Sequence, residues 1–217
     1  MARIHVLGGT GYAGTHIVRV GAERGHAVVS FSRTRPEKEI PGVTYRTGDV
    51  LDDAFLESAF DDADVVISSL SAIGPFSEEG KLRALLRKAA GIAAERGVRF
   101  GVIGGAGSLL VEPGGPRLVD TPDFMEAAKP MALELAGVLD DLEAVQDERL
   151  DWFLVSPAAN FGGHAPGKAT GHYRIGGAVL LRDAQGNSDL SGADLALAVI
   201  DEIEKPAHHC KHFGVAY

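Results

Sequence analysis

Gly8, Gly11 and Gly14 stand three residues apart in the stretch LGGTGYAG, between the apolar run Ile4, Val6, Leu7 and the helix-like THIVRVGAER. In a strand–turn–helix unit the first helical amides have no internal partner and sit at the positive end of the helix dipole. A turn there that is clear of side chains takes up phosphate. Gly8 is expected to form the turn, Gly11 to let a pyrophosphate reach the amides of Tyr12 and Ala13, and Gly14 to let the helix lie close on the sheet. Thr10 adds a hydroxyl donor. The alternative, an ordinary glycine-rich turn, lacks the context seen here: a strand before, and after it an amphipathic helix with Ala13, Ile17 and Val20 on one face.

The end of the next strand decides which dinucleotide such a site takes. A carboxylate there, about 20 residues beyond the glycines, accepts from the ribose hydroxyls of NAD. Residues 27–36 hold no Asp or Glu but do hold Arg33 and Arg35. An arginine matches a 2′-phosphate in charge and in paired donors, which favours NADP(H) over NAD(H); the competing reading makes both arginines solvated loop charges.

These residues must be positioned by the elements around them. Short β-branched runs at 4–7, 27–31, 64–68 and 98–103 alternate with helical patterns, which predicts parallel strands joined by helices, a Rossmann-like doubly wound α/β sheet. Leu82, Leu85, Leu86, Ala89, Ala90 and Ala93 follow one helix face, with Arg83, Arg87 and Lys88 opposite. The longest helix is expected over 123–149, with Met131, Leu135, Val138, Leu142 and Val145 inward. The run 152–155 reads as a strand covered on both faces, with Trp152 beside the sheet and Pro157 ending it. The stretch 162–171 has loop chemistry. Ser191-Gly-Ala-Asp194 offers a capping-box-like start to a last helix ending near Lys205-Pro206, and a strand follows around 212–216.

The chain of 217 residues, 45% hydrophobic and 24% charged, reads as one domain over 1–217. A net charge of −9 argues against nucleic acid or an anionic membrane as partner and leaves a small molecule. No secretory h-region or membrane-length apolar run is present, and the lone Cys210 suits a reducing compartment, so a cytoplasmic location is expected. Oligomeric state is left open, because the face of 131–145 suits a core or a dimer equally.

With these features the chain resembles the atypical short-chain dehydrogenase/reductases, in the NAD(P)H-binding branch of biliverdin reductase B-like flavin reductases and proteins named NADH-flavin reductases. The resemblance covers nearly the whole chain and rests on GGTGYAG at 8–14, GDV at 48–50, SSLS at 68–71, VIGGAGSL at 102–109, LDWFLVSPA at 150–158 and SDLSGADLALAVIDEIE at 188–204. It implies that Asp49 and Val50 lie by the adenine and that Ser69, Leu70 and Ser71 flank the nicotinamide ribose. One departure bears on mechanism. Classical members of the superfamily use Tyr-x-x-x-Lys, yet Tyr12, Tyr45 and Tyr173 are followed four places on by His16, Asp49 and Gly177, and Tyr217 ends the sequence. Lys129 stands about where the family lysine is, with Met125 in the tyrosine's place; Ser108 stands where the classical serine is. Both are candidates for a catalytic role.

Hydride reduction of a ketone leaves an alkoxide that needs a proton donor in place, whereas a flavin spreads the electron pair over its rings and takes the proton from solvent. The sequence therefore favours NADPH-dependent reduction of a flavin, as substrate rather than prosthetic group, or of a similar planar acceptor. Phe76, Asn160 and Phe161 are the candidate acceptor pocket, with the loop 162–171 as its cover. A protein that senses NAD(P) without chemistry is the rival, and a sugar-nucleotide epimerase ranks last. His208, His209, Cys210 and His212 crowd together without completing a tetrahedral set, and no metal site is expected. His172 and Tyr173 read as exposed strand residues.

Overall fold

The computed structural model describes residues 1–217. Its strands are β1 (Arg3–Leu7), β2 (Ala27–Ser32), β3 (Val43–Thr47), β4 (Val65–Ser68), β5 (Arg99–Ile103), β6 (Trp152–Pro157), β7 (Arg174–Gly176) and β8 (Lys211–Ala216). They form one sheet in the order β3-β2-β1-β4-β5-β6-β8-β7, parallel throughout except for β7 against β8. Strand order reverses between β1 and β4, and in such sheets the crevice for a ligand opens there, beyond the carboxyl ends of the strands.

Helices cover both faces. Helix α1 (Tyr12–Glu23) and helix α5 (Gly192–Glu204) lie on one, where Ile17, Val18 and Val20 meet Leu195, Val199 and Ile200. Helices α2 (Asp53–Ser58), α3 (Lys81–Arg96) and α4 (Lys129–Glu143) lie on the other. Central strands therefore bury alternate residues in opposite cores, as in β6, where Trp152 and Leu154 face α3 and α4 while Phe153 and Val155 face α1 and α5. All six residues expected on the apolar face of α3 are buried. No helix is long and apolar enough to cross a membrane.

Helix α4 is shorter than the expected span of 123–149. Pro130 sits in its first turn, where a missing N–H costs nothing, and the residues before it form only a 3₁₀ turn at Glu126–Ala128. Met131 and Val145, at the two ends of the expected stripe, are each 38% exposed, and Leu135, Val138 and Leu142 carry its burial. The edge strand β3 was not among the expected runs; it is mostly exposed and lacks the continuous apolar pattern of a central strand. Cys210 lies just before β8 at φ 49, outside the strand that carries His212.

The loop 162–171 is tied down by a carboxylate. Ser191 caps α5 by accepting from the Asp194 amide at 3.1 Å. The reciprocal arm of a capping box is replaced: fully buried Asp194 accepts from the Thr170 amide at 2.8 Å, the Gly171 amide at 2.9 Å and the hydroxyls of Ser191 and Tyr217. Burial pushes this carboxyl up, and the hydrogen bonds from Tyr217, Thr170, Ser191 and Gly171 outweigh it and hold it below the ordinary aspartate value. Asp194→Asn turns one acceptor oxygen into a donor facing these groups. It should cost about 2–3 kcal/mol in urea unfolding and speed proteolysis within 162–171; an unchanged midpoint would contradict this account of the loop.

Candidate functional site

The turn after β1 is held by backbone contacts. Gly8 takes φ +80, a conformation that favours glycine, and its carbonyl oxygen accepts from the Gly11 amide at 2.9 Å. The Ser69 hydroxyl lies 2.9 Å from the Leu7 carbonyl oxygen and 3.0 Å from that of Gly8, and it donates to this pair. A methyl group on Gly14 would stand 2.2 Å from the Gly8 oxygen and 2.6 Å from Ser69 Oγ. The first turn of α1 therefore sits directly on the carbonyl of the preceding turn, and only a hydrogen fits between them. Gly11 is the N-cap of α1 and supplies no side-chain acceptor, which leaves the amides of Tyr12 and Ala13 without a capping partner.

A cavity of about 210 Å³ opens at this turn. Its wall includes Gly8, Thr10 and Gly11 from the turn, Arg33 after β2, Asp49 and Val50 after β3, and Ser69, Leu70 and Ser71 after β4. These residues, widely spaced in the sequence, meet at the switch point of the sheet. Arg33 has no ion-pair partner, whereas Arg35 is paired with Glu39 and is absent from the cavity wall. As sequence the two arginines were equivalent, each with a glutamate four places on, Glu37 and Glu39; only the folded loop pairs one of them. Asp49 accepts from the Leu51 amide at 3.0 Å, which shapes the turn into α2.

The other candidates are placed differently. Phe76, expected in the acceptor pocket, belongs to a 3₁₀ turn and is 5% exposed, packed into the core with α3 residues while still lining the cavity. Asn160 and Phe161 do not reach that cavity. The Asn160 amide side chain donates to Asp189 at 2.6 Å, and Phe161 stands edge-on to Tyr12 with ring centroids 5.3 Å apart. The loop 162–171 belongs to the same arrangement rather than to a free cover: the Tyr12 hydroxyl donates to the Pro166 carbonyl at 3.0 Å and accepts from the Gly192 amide at 3.1 Å. Tyr173 is half-buried, donating to Asp201 at 2.5 Å, which corrects its expected exposure.

Ser108 lies in a 3₁₀ turn after β5, 3% exposed, and its hydroxyl has no hydrogen-bond partner. Lys129 opens α4 with its ammonium 3.3 Å from Glu126. Neither lines the cavity. Sequence reasoning missed Gly9, where a methyl group would meet Ser30 Oγ at 2.4 Å, and Ile73 and Pro75, which complete the cavity wall. The histidine-rich stretch is divided among separate partners: His208 against Glu202, His209 against Asp151, and His212 against Ser156.

A family model for NAD(P)H-binding proteins matches residues 8–206. The chain belongs to this NAD(P)H-binding family. Three solved structures are similar to it over its whole length. A protein of Burkholderia pseudomallei, provisionally described as exported, is 39% identical with TM-score 0.83 and is covered over 100% of its own chain. A protein of Streptococcus pneumoniae provisionally named an NADH-flavin reductase is 30% identical with TM-score 0.84 and 99% of its chain covered. A protein of Bacteroides thetaiotaomicron provisionally named an epimerase is 31% identical with TM-score 0.86 and 97% covered. One fold thus carries three descriptions, and function has to be argued from the site.

Two measurements check this geometry. Gly14→Ala should lower stability by about 2–3 kcal/mol, because the methyl group meets backbone rather than a movable side chain; an unchanged unfolding midpoint would contradict the close approach. His212 is held down at about 4 by burial and by the nearby Arg117 charge. The unfolded chain takes up a proton near 6.5 that the folded one refuses, so stability should fall by up to roughly 3 kcal/mol as pH drops from about 6.5 to about 4. His212→Gln should flatten that part of the stability profile, and an equally steep profile in the variant would assign the loss to other groups.

Proposed function

We propose that the chain is an NADPH-dependent reductase that passes hydride to a flavin or a similar planar acceptor, with residues 1–217 acting as one domain. The observation that carries the reading is the cavity that joins the Gly8–Gly11 turn to Arg33 on one side and Ser69–Ser71 on the other. Membership of the NAD(P)H-binding family supports the cofactor class, and the streptococcal relative's provisional name supports the reaction class.

The residues fit a dinucleotide. The space a side chain at Gly14 would fill is closed by backbone, and the N-cap of α1 supplies no competing acceptor, so the helix end is free to bind a diphosphate. In this reading the amides of Tyr12 and Ala13 and the Thr10 hydroxyl hold the diphosphate, and Arg33 holds a 2′-phosphate. Asp49 and Val50 border the adenine, and Ser69, Leu70 and Ser71 border the nicotinamide ribose. A bound nicotinamide supplies the hydride. Ser108, with a buried and unpartnered hydroxyl, is the candidate donor to the carboxamide or the acceptor. Lys129, engaged by Glu126, is given no part. The protein's contribution is alignment of two flat rings, which needs no Tyr-x-x-x-Lys pair when the acceptor delocalises the incoming charge and takes its proton from solvent.

The absence of that pair from the sequence favours a second reading, an NADP-binding sensor without turnover. Mixing the protein with NADPH and free flavin separates the two: the reductase consumes NADPH above the protein-free rate, and the sensor binds it unchanged. Arg33→Gln should weaken NADPH binding about tenfold to a hundredfold and leave NADH binding unaltered, read by nucleotide fluorescence titration. Equal losses for both nucleotides would remove Arg33 from the 2′-phosphate.

A further inference from the structure

A second cavity of about 510 Å³ adjoins the first, within the range of roughly 300–1,000 Å³ usual for small-molecule sites. The segment after β4 borders both: Ser71 and Ile73 line the first cavity, Ala72 lines the second, and Phe76 lines both. Across from Phe76 the second cavity is walled by Val119, Met131 and Leu133, and the last two are among the few large apolar side chains this protein leaves exposed. An aromatic ring, a thioether and branched aliphatic groups around one space suit the faces of a flat heteroaromatic ring.

The charges of the two cavities differ. The first holds Arg33, a cation without a partner. In the second both guanidinium groups are already paired: Arg83 donates to Asp141 at 2.9 and 2.8 Å, and Arg117 donates to Asp140 at 2.5 and 3.2 Å. Three carboxylates on its wall have no cationic partner. Glu79 and Asp120 are exposed at the rim, while Glu134 is 5% exposed and accepts from the amides of Gly80 and Arg83 at the start of α3. Glu78 is answered by Lys81, and Lys129 by Glu126. An anion entering this cavity meets a wall of net negative charge and no unpaired cation.

Resting on the reductase reading, we infer that the second cavity receives the acceptor and selects an uncharged ring system over a phosphorylated one, riboflavin over its 5′-monophosphate FMN. The reaction balances as one hydride from the nicotinamide to riboflavin and one proton from water. The flavin gains two electrons and two hydrogens, and the nicotinamide leaves oxidised. FMN carries close to two negative charges at pH 7. Repulsion from carboxylates within a Debye length disfavours it roughly tenfold or more at low salt, and the difference shrinks as salt shortens that length.

Flavin fluorescence quenching tests this directly, with riboflavin and FMN titrated separately into the full chain and NADPH binding measured on the same preparation. Riboflavin should bind about tenfold more tightly than FMN at low ionic strength, with the ratio narrowing in about 0.5 M salt. The double variant Glu79→Lys, Asp120→Lys should tighten FMN about tenfold and shift riboflavin, which carries no net charge, far less, because both side chains are exposed and without ion-pair partners; NADPH, an anion held in the adjoining cavity, should gain less than FMN. FMN binding as tightly as riboflavin, or an FMN affinity indifferent to the double variant, overturns the selectivity while leaving NADPH oxidation to stand or fall separately. Loss of NADPH binding alone counts against the reductase reading, since the flavin ratio is read without it.

Discussion

The distance between the Gly8 carbonyl oxygen and the α-carbon of Gly14 governs much of the rest. No side-chain atom fits between them, so the first turn of α1 is seated on the end of β1 and its amides are aimed at the switch point of the sheet. Ser69, one strand over, fastens the same turn through its hydroxyl. The strand order places β2 and β4 on either side of β1, so the residues that follow those strands, Arg33 and Ser69–Ser71, have to converge on that spot. A local steric constraint of one hydrogen atom thereby becomes a site assembled from four connections.

On the opposite side of α1 a second set of contacts fixes the helix from outside. Tyr12 is the first residue of α1, and its hydroxyl bridges the Pro166 carbonyl and the Gly192 amide. Asp194, three residues from the N-cap Ser191, gathers the amides of Thr170 and Gly171. The glycine-rich stretch that looked like a free cover is therefore part of the packing between α1 and α5. Its charged-group hydrogen bonds are buried, where they are stronger than at the surface.

What was readable in the sequence follows range. The β1–α1 unit, the apolar face of α3 and the Ser191 cap are patterns within a dozen residues, set by local periodicity and by which backbone groups need partners. The start of α4 was misjudged because apolar spacing continues past Pro130 while the backbone requirement does not. Asn160 pairs with Asp189, 29 positions on, and Tyr217 with Asp194, 23 positions back, while Phe76 depends on which face a loop folds against, and no local pattern carries that information. Arg33 and Arg35 had the same chemistry on paper; only the folded loop pairs one of them with a glutamate.

The two cavities meet at Phe76, the one residue on both walls. The rim formed by Glu79, Asp120, Met131 and Leu133 comes from different segments than the glycine turn, and its exposed residues answer to few of the constraints that fix β1 and α1. Such a division leaves the second cavity open to surface substitutions while sterics hold the glycine turn. Modularity of that kind gives a physical reason why chains sharing this backbone at about a third identity carry such different descriptions.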